Sequence, residues 1–236
     1  MLPLLYVVRM DVERDYLTEF IKWYDTRHGP DLIGTGFFSC NAYHSVVGEP
    51  FICNVYEIPN LEILSSDAYV AVRKNDSQLV DEVLNKISNH SNTTYSQVKT
   101  EGFTIRDSDL SSDRPSRKMA VSSPVISTTC FDYAGVDEAL LEKFVSDYFQ
   151  SQNKLDPNLI SLRLAKQSGK HPLFPSSQPD WILLAEWSNF DSAKVVLSND
   201  LLPDKKEAGI NELVSNKKSN IACLNATLLN PHAWIK

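Results

Sequence analysis

The sequence predicts an α+β protein built from two tandem ferredoxin-like β-α-β-β-α-β repeats that close one barrel within the chain. Three observations carry this. First, a slide of 124 residues lays Tyr16-Leu17-Thr18-Glu19-Phe20-Ile21 over Leu140-Leu141-Glu142-Lys143-Phe144-Val145 and puts Tyr24 on Tyr148. Second, a slide of 129 residues lays Tyr56-Glu57-Ile58-Pro59-Asn60-Leu61-Glu62 over Ala185-Glu186-Trp187-Ser188-Asn189-Phe190-Asp191. The two offsets differ by one short insertion, which a surface loop tolerates cheaply. Third, each copy shows the same alternation of periods, which gives a four-stranded antiparallel sheet with both helices on one face. The bare face of each sheet is then covered by the other copy.

The elements read in order as follows. Leu4 to Met10 is apolar and rich in β-branched residues, a strand. Asp11 is a candidate N-cap. From Val12 the period becomes helical, with Tyr16, Phe20, Trp23 and Tyr24 on one face. Gly29-Pro30 either ends that helix or kinks it. Phe37 to Val46 and Phe51 to Ile58 are strands joined through Gly48-Glu49-Pro50. Leu61 to Asn75 is a second helix, Leu79 to His90 extends it or forms a third, and Tyr95 to Ile105 is the last strand of the first copy. The second copy repeats the order. Strands fall at Val125 to Phe131, Leu159 to Gln167, Trp181 to Trp187 and Ile221 to Leu229, and helices at Val136 to Gln152 and from Asp191. Between the copies, Arg106 to Pro124 is polar and reads as a linker or surface loop. The expected division is therefore 1–106, a linker at 107–123, and 124–236.

Composition removes several classes of function. Of 236 residues, 42% are hydrophobic and 22% charged, as in an ordinary globular protein. A net charge of −7, with no basic run interleaved with aromatics, argues against nucleic acid as a partner. No stretch approaches the roughly 18 apolar residues of a membrane span. The four cysteines, Cys40, Cys53, Cys130 and Cys223, form no CxxC and match no zinc spacing, so they read as buried thiols of a cytoplasmic protein. No metal-ligand spacing, GxSxG, Walker loop or GxGxxG occurs, and nothing asks for a cofactor.

The segment Trp23-Tyr24-Asp25-Thr26-Arg27-His28-Gly29-Pro30-Asp31-Leu32 resembles the W-Y-[D/N]-x-x-H-x-P-x-L pattern of EthD-like proteins, members of the dimeric α+β barrel superfamily. Gly36-Phe37, Gly48-Glu49-Pro50 and Tyr56-Glu57 extend the match over roughly residues 4 to 76. The resemblance implies a pocket between sheet and helices for a small hydrophobic molecule. It also implies an activity among cofactor-independent monooxygenases, cyclases, isomerases, dehydratases and decarboxylases. It carries the family's histidine to His28 and its neighbours to Tyr24 and Asp25. Arg27 and Gly29 depart from it, where relatives often carry an acidic and a bulky apolar residue.

The same residues point to proton transfer on their own chemistry. His28 lies four residues after Tyr24, on the same helical face, and a histidine titrates near neutral pH. The competing reading makes His28 a cap on the helix C-terminus, where a cation is favoured. Tyr24 is expected to donate to a carbonyl or enolate oxygen, and Asp25 to orient His28. Trp23, Arg27, Tyr6, Asn41 and Tyr43 complete the expected substrate contacts. Alternation puts Asn41 and Tyr43 on one face of their strand, taken as the pocket face, with Cys40, Ala42 and His44 on the other. The cluster has no equivalent in the second copy, so one site is expected. The reading is a cofactor-independent isomerase, cyclase, dehydratase or lyase acting on a small hydrophobic, oxygenated molecule of polyketide-like or aromatic type. Its alternatives are a cofactor-free monooxygenase and a non-catalytic carrier. The chain is expected to be a monomer with an internal pseudo-dimer, or a homodimer of these.

Overall fold

Period-2 alternation sorts the first strand, β1 (Leu4–Val12), between two environments: Leu5, Val7 and Arg9 are buried on one side, Tyr6, Val8 and Met10 on the other. Seven further strands behave similarly: β2 (Ser39–Val47), β3 (Ile52–Ile58), β4 (Ile87–Glu101), β5 (Val125–Tyr133), β6 (Leu159–Gln167), β7 (Trp181–Trp187) and β8 (Val214–Leu229). They form a closed barrel in the order β1-β3-β2-β8-β5-β7-β6-β4, with every neighbouring pair antiparallel. Closure leaves no edge unpaired among the described strands. The computed structural model describes residues 2–75, 85–103, 114–172, 176–198 and 213–234.

The strand order runs β4-β1-β3-β2 through the first half and β8-β5-β7-β6 through the second, with seams at β2–β8 and β4–β6. Helices α1 (Leu17–Trp23), α2 (Gly29–Gly34) and α3 (Asp67–Asn75) cover the outer face of the first half. Helices α4 (Glu138–Leu155) and α5 (Phe190–Ser198) cover that of the second. The barrel interior is a third core, with Leu5, Val7, Tyr43, Val55, Ile126 and Leu184 among its members.

Several sequence expectations need correction. Asp11 does not cap a helix. It stays in β1, where its carboxylate accepts from Phe51 N at 2.7 Å and Asn89 Nδ2 at 2.6 Å, tying β1 to two neighbouring turns. Of the two outcomes expected of Gly29-Pro30, ending the helical run is not the one observed. A π-helical turn, Tyr24–His28, links α1 to α2, and Gly29 N–H donates to Tyr24 O across the wide turn. Pro30 has no N–H to give and sits in the first turn of α2, where none is required. Residues 87–90 are strand, not helix, because Ser88 and Ile87 pair with Asp11 and Val12; the rest of the expected third helix, 79–84, lies outside the described residues.

The interval between the halves also departs from expectation where it is described. Met119, Ala120 and Val121 are buried, and the segment plugs one end of the barrel. Glu57 of β3 and Glu186 of β7, related by the 129-residue offset, hold it there. Val121 N donates to Glu57 Oε2 at 3.1 Å, while Ser122 N and Ser123 Oγ each donate to Glu186 Oε1 at 3.1 Å. Arg163 of β6 donates from Nη2 to Met119 O at 2.7 Å and forms an ion pair with Glu186 at 2.9 Å. Polar side chains thus draw this stretch inward, since a buried carboxylate must be satisfied by donors.

Candidate active site

The π turn sets the geometry of the site. A turn one residue wider than α rotates the residues it holds, and such turns recur at functional sites. Here Tyr24 turns inward and is buried, Trp23 and His28 sit half-buried at the rim, and Arg27 points to solvent. The His28 ring stacks on Trp23, centroids 4.7 Å apart at 24°, and meets Tyr24 at 5.4 Å. Gly29 favours this placement. A Cβ there would lie 2.8 Å from Leu228 Cδ1 and 3.2 Å from Tyr24 O, so the departure at Gly29 lets the helix lie close to β8.

Beneath this turn lies a cleft of about 60 Å³ between α1 and the outer face of β1, β3 and β4. Tyr6, Tyr56 and Tyr69 line it together with Trp23, Tyr24 and His28. Tyr6 stacks on Tyr56 at 5.4 Å, and Tyr24 lies 6.4 Å from Tyr56. Burial, then the neighbouring Tyr69, pushes the Tyr6 and Tyr56 phenols well up, so both remain hydrogen-bond donors at any physiological pH. Two buried donors in this cleft, Tyr24 Oη and Trp23 Nε1, have no hydrogen-bond partner among the described residues.

The second half reaches the same place. His171, from the loop between β6 and β7, stacks on Tyr6 at 5.7 Å and 17°, with its Nε2 3.1 Å from Tyr69 Oη. Burial first, then the nearby Arg73 and His90, lowers its pKa to about 4, so the imidazole is neutral. Neither His171 nor His90, which also lines the cleft, is among the site residues the sequence suggested. No local signal marks His171, because it reaches the site through a contact 102 residues away in sequence.

The other expected residues divide between the cleft and the rest of the barrel. Tyr6 is in the cleft, as is Trp23. Asp25 lies on the far side of Tyr24, where it accepts from Asn225 Nδ2 at 3.1 Å beside a cavity of about 10 Å³ shared with His44 and Asn54. Burial raises the Asp25 carboxyl and lowers the His44 imidazole, although each favours the other's charged form or is favoured by it. Asp25 is therefore turned toward β8 and His44 rather than placed behind His28. Asn41 and Tyr43 share a face as alternation requires, but that face is the barrel interior. Asn41 Nδ2 donates to Ser39 Oγ at 3.3 Å, and Tyr43 Oη donates to Ser123 O at 2.9 Å. Arg27 is exposed and outside the cleft.

No family model matches the chain, and no curated protein does. Solved structures do. An anthrone oxidase-like protein superposes with a TM-score of 0.63 at 12% identity, over 98% of this chain and 95% of that one. A putative monooxygenase from Fusobacterium nucleatum gives 0.57 at 11% identity, over 99% and 96%. A haem-binding protein from Thermus thermophilus gives 0.51 at 9%, over 95% and 92%. At these identities the likeness is one of fold. The chain has the dimeric α+β barrel fold, assembled within one polypeptide.

The Thermus protein raises the question of haem here. A haem needs an axial side chain turned into a cavity that holds the whole macrocycle. The helix-covered face of the second half is filled by Phe131, Leu141, Val145, Leu164 and Trp187, and the cleft beside His28 measures about 60 Å³. The described residues of these two helix-covered faces do not fit that group. Among them there is also no cluster of His, Cys, Asp and Glu suited to a metal ion, and no helix long and apolar enough to cross a membrane.

Proposed function

We propose that the chain is a cofactor-independent small-molecule enzyme of the EthD-like type, with His28 as its proton-transfer group. The observation that carries this is the pair of buried donors, Tyr24 Oη and Trp23 Nε1, unpartnered among the described residues and beside His28. Leaving a buried donor unpaired costs about 1–3 kcal/mol. A ligand oxygen that accepts from both removes that cost, and does so most strongly when the oxygen gains charge. The substrate is a small, mainly hydrophobic ring compound bearing a carbonyl or phenol. His28 takes a proton from an acidic carbon, and Tyr24 and Trp23 hold the enolate oxygen. Tyr6, Tyr56 and Tyr69 pack on the ring. The cleft is closed to about 60 Å³, so the half-buried rim side chains Trp23 and His28 move when a ring enters.

Returning the proton to another carbon completes an isomerisation or cyclisation. Passing electrons from the enolate to O₂ completes a monooxygenation: a CH₂ becomes C=O, one oxygen atom enters the product, and the other leaves as water. The names of two structural neighbours favour this second ending as the alternative. A carrier would bind the same molecules without turnover. The equivalent strand orders of the two halves, and the matched Ser39–Glu57 and Ser161–Glu186 hydrogen bonds, both at 2.6 Å, support descent from a duplicated ferredoxin-like module that kept one site.

Hydroxylated aromatic ketones of anthrone type are the first substrates to assay, following absorbance and dissolved oxygen together. His28→Ala is expected to lower kcat on the order of 10²–10⁴-fold. Turnover at the wild-type rate in that variant excludes His28 as the acid–base group. Oxygen uptake matching product formation selects the monooxygenase ending; product without uptake selects isomerisation or cyclisation.

A further inference from the structure

Arg9 is 2% exposed and points into the barrel, away from the cleft. Among the described residues its side chain makes one hydrogen bond, from Nη2 to Thr128 Oγ1 at 2.7 Å. No described carboxylate lies within ion-pair distance of it. Its other neighbours inside the barrel are the thiols of Cys53 and Cys130 and the Tyr95 phenol. Thr128 in turn donates to Asn220 Oδ1, and Asn220 Nδ2 donates to Ser45 Oγ at 2.9 Å. A cation taken out of water in this way costs several kcal/mol unless it is paired.

Arg9 is not sealed in. It forms the floor of a cavity of about 360 Å³ at the barrel mouth opposite the plug, where exposed Lys218 stands on the rim. His90, Asn89 and Gln178 also line it, and the acidic residue of the lining is the exposed Glu49. The volume lies in the range of small-molecule sites. A guanidinium presents a planar fork of N–H donors that matches phosphate and carboxylate oxygens, and an ammonium adds a point charge. In a chain of net charge −7, two cations against one carboxylate around this open cavity are a local exception.

We infer that this barrel mouth is a second ligand site, which binds a small anion of phosphate or carboxylate type on Arg9 with Lys218 as the outer contact. The inference is independent of the acid–base reading of His28, because it uses a different face of β1 and different residues.

The test is calorimetric titration of the full chain with sodium phosphate and, separately, sodium succinate, at fixed ionic strength set by chloride. One of the two is expected to bind with a Kd at or below ~1 mM. Phosphate alone binding identifies a phosphoryl group as the ligand, and succinate alone or both identifies a carboxylate-tolerant site; each supports the inference. Lys218→Ala, at an exposed position, is expected to fold with unchanged Tm and to weaken binding about 10-fold, the loss of one charged contact. Arg9→Gln is expected to abolish binding. Failure of both anions to bind the wild type overturns the inference, as does binding that Lys218→Ala leaves unchanged.

Discussion

Glu57 gives the sharpest quantitative consequence of the fold. Its carboxyl is fully buried at the plugged end of the barrel. Oε2 accepts from Ser39 Oγ at 2.6 Å and Val121 N at 3.1 Å, while Oε1 has no partner among the described residues. Burial is the dominant influence and pushes the group from 4.5 up to about 7, against the opposing pull of Arg163 and these hydrogen bonds. The folded protein therefore holds a proton that the unfolded chain has lost across that interval. Stability is full below about pH 4.5 and falls as pH rises to about 7, by roughly 3 kcal/mol at 1.36 kcal/mol per pH unit. Glu57→Gln keeps an acceptor for Ser39 and Val121 and removes the titration. Thermal and denaturant unfolding of both proteins from pH 5 to pH 8 reads the effect. The variant is expected to gain on the wild type with rising pH, reaching on the order of 5–10 °C in Tm above pH 7 for a chain of this size. Titrations elsewhere cancel in the difference between the two proteins. A difference that stays constant over this range, or shrinks as pH rises, refutes the reasoning.

Two further outcomes follow from the same structure. Arg163→Met is expected to cost about 3–5 kcal/mol, because it leaves Glu186 buried without its cation and releases Met119 O of the plug; denaturant midpoints measure this, and a loss below about 1 kcal/mol contradicts it. His171, held neutral by burial and by nearby Arg73 and His90, has a folded pKa of about 4 against an ordinary 6.5. Its stabilising contribution is complete above pH 6.5 and is lost as pH falls toward 4, so His171→Phe is expected to lose less Tm than the wild type over that interval, and parallel curves rule it out.

The sequence carried the element order because periods of 2 and 3.6 are local properties of the chain. Leu4 to Met10, Phe51 to Ile58 and Trp181 to Trp187 all became strands close to the expected bounds. The contact partners of each face were not local. Alternation correctly grouped Asn41 with Tyr43, yet nothing in β2 says which of its two apolar environments lies under a helix and which lies inside a barrel. For the same reason Asp25, chosen for its spacing from His28, went to Asn225, 200 residues away in sequence. His171 meets Tyr69 across 102 residues, so a Pro- and Ser-rich loop gave no sign of it. The plug was misread because its polar composition suggested solvent, whereas Glu57, Arg163 and Glu186 supply buried partners that composition does not reveal.

The most direct measurement is a high-resolution crystal structure of the chain purified from cells, read at the cleft between Tyr24, Trp23 and His28. The account expects a small ring compound with one oxygen within about 3 Å of both Tyr24 Oη and Trp23 Nε1 and a carbon facing the His28 imidazole. A cleft in which those two donors are satisfied by protein groups, with His28 turned to solvent, contradicts it.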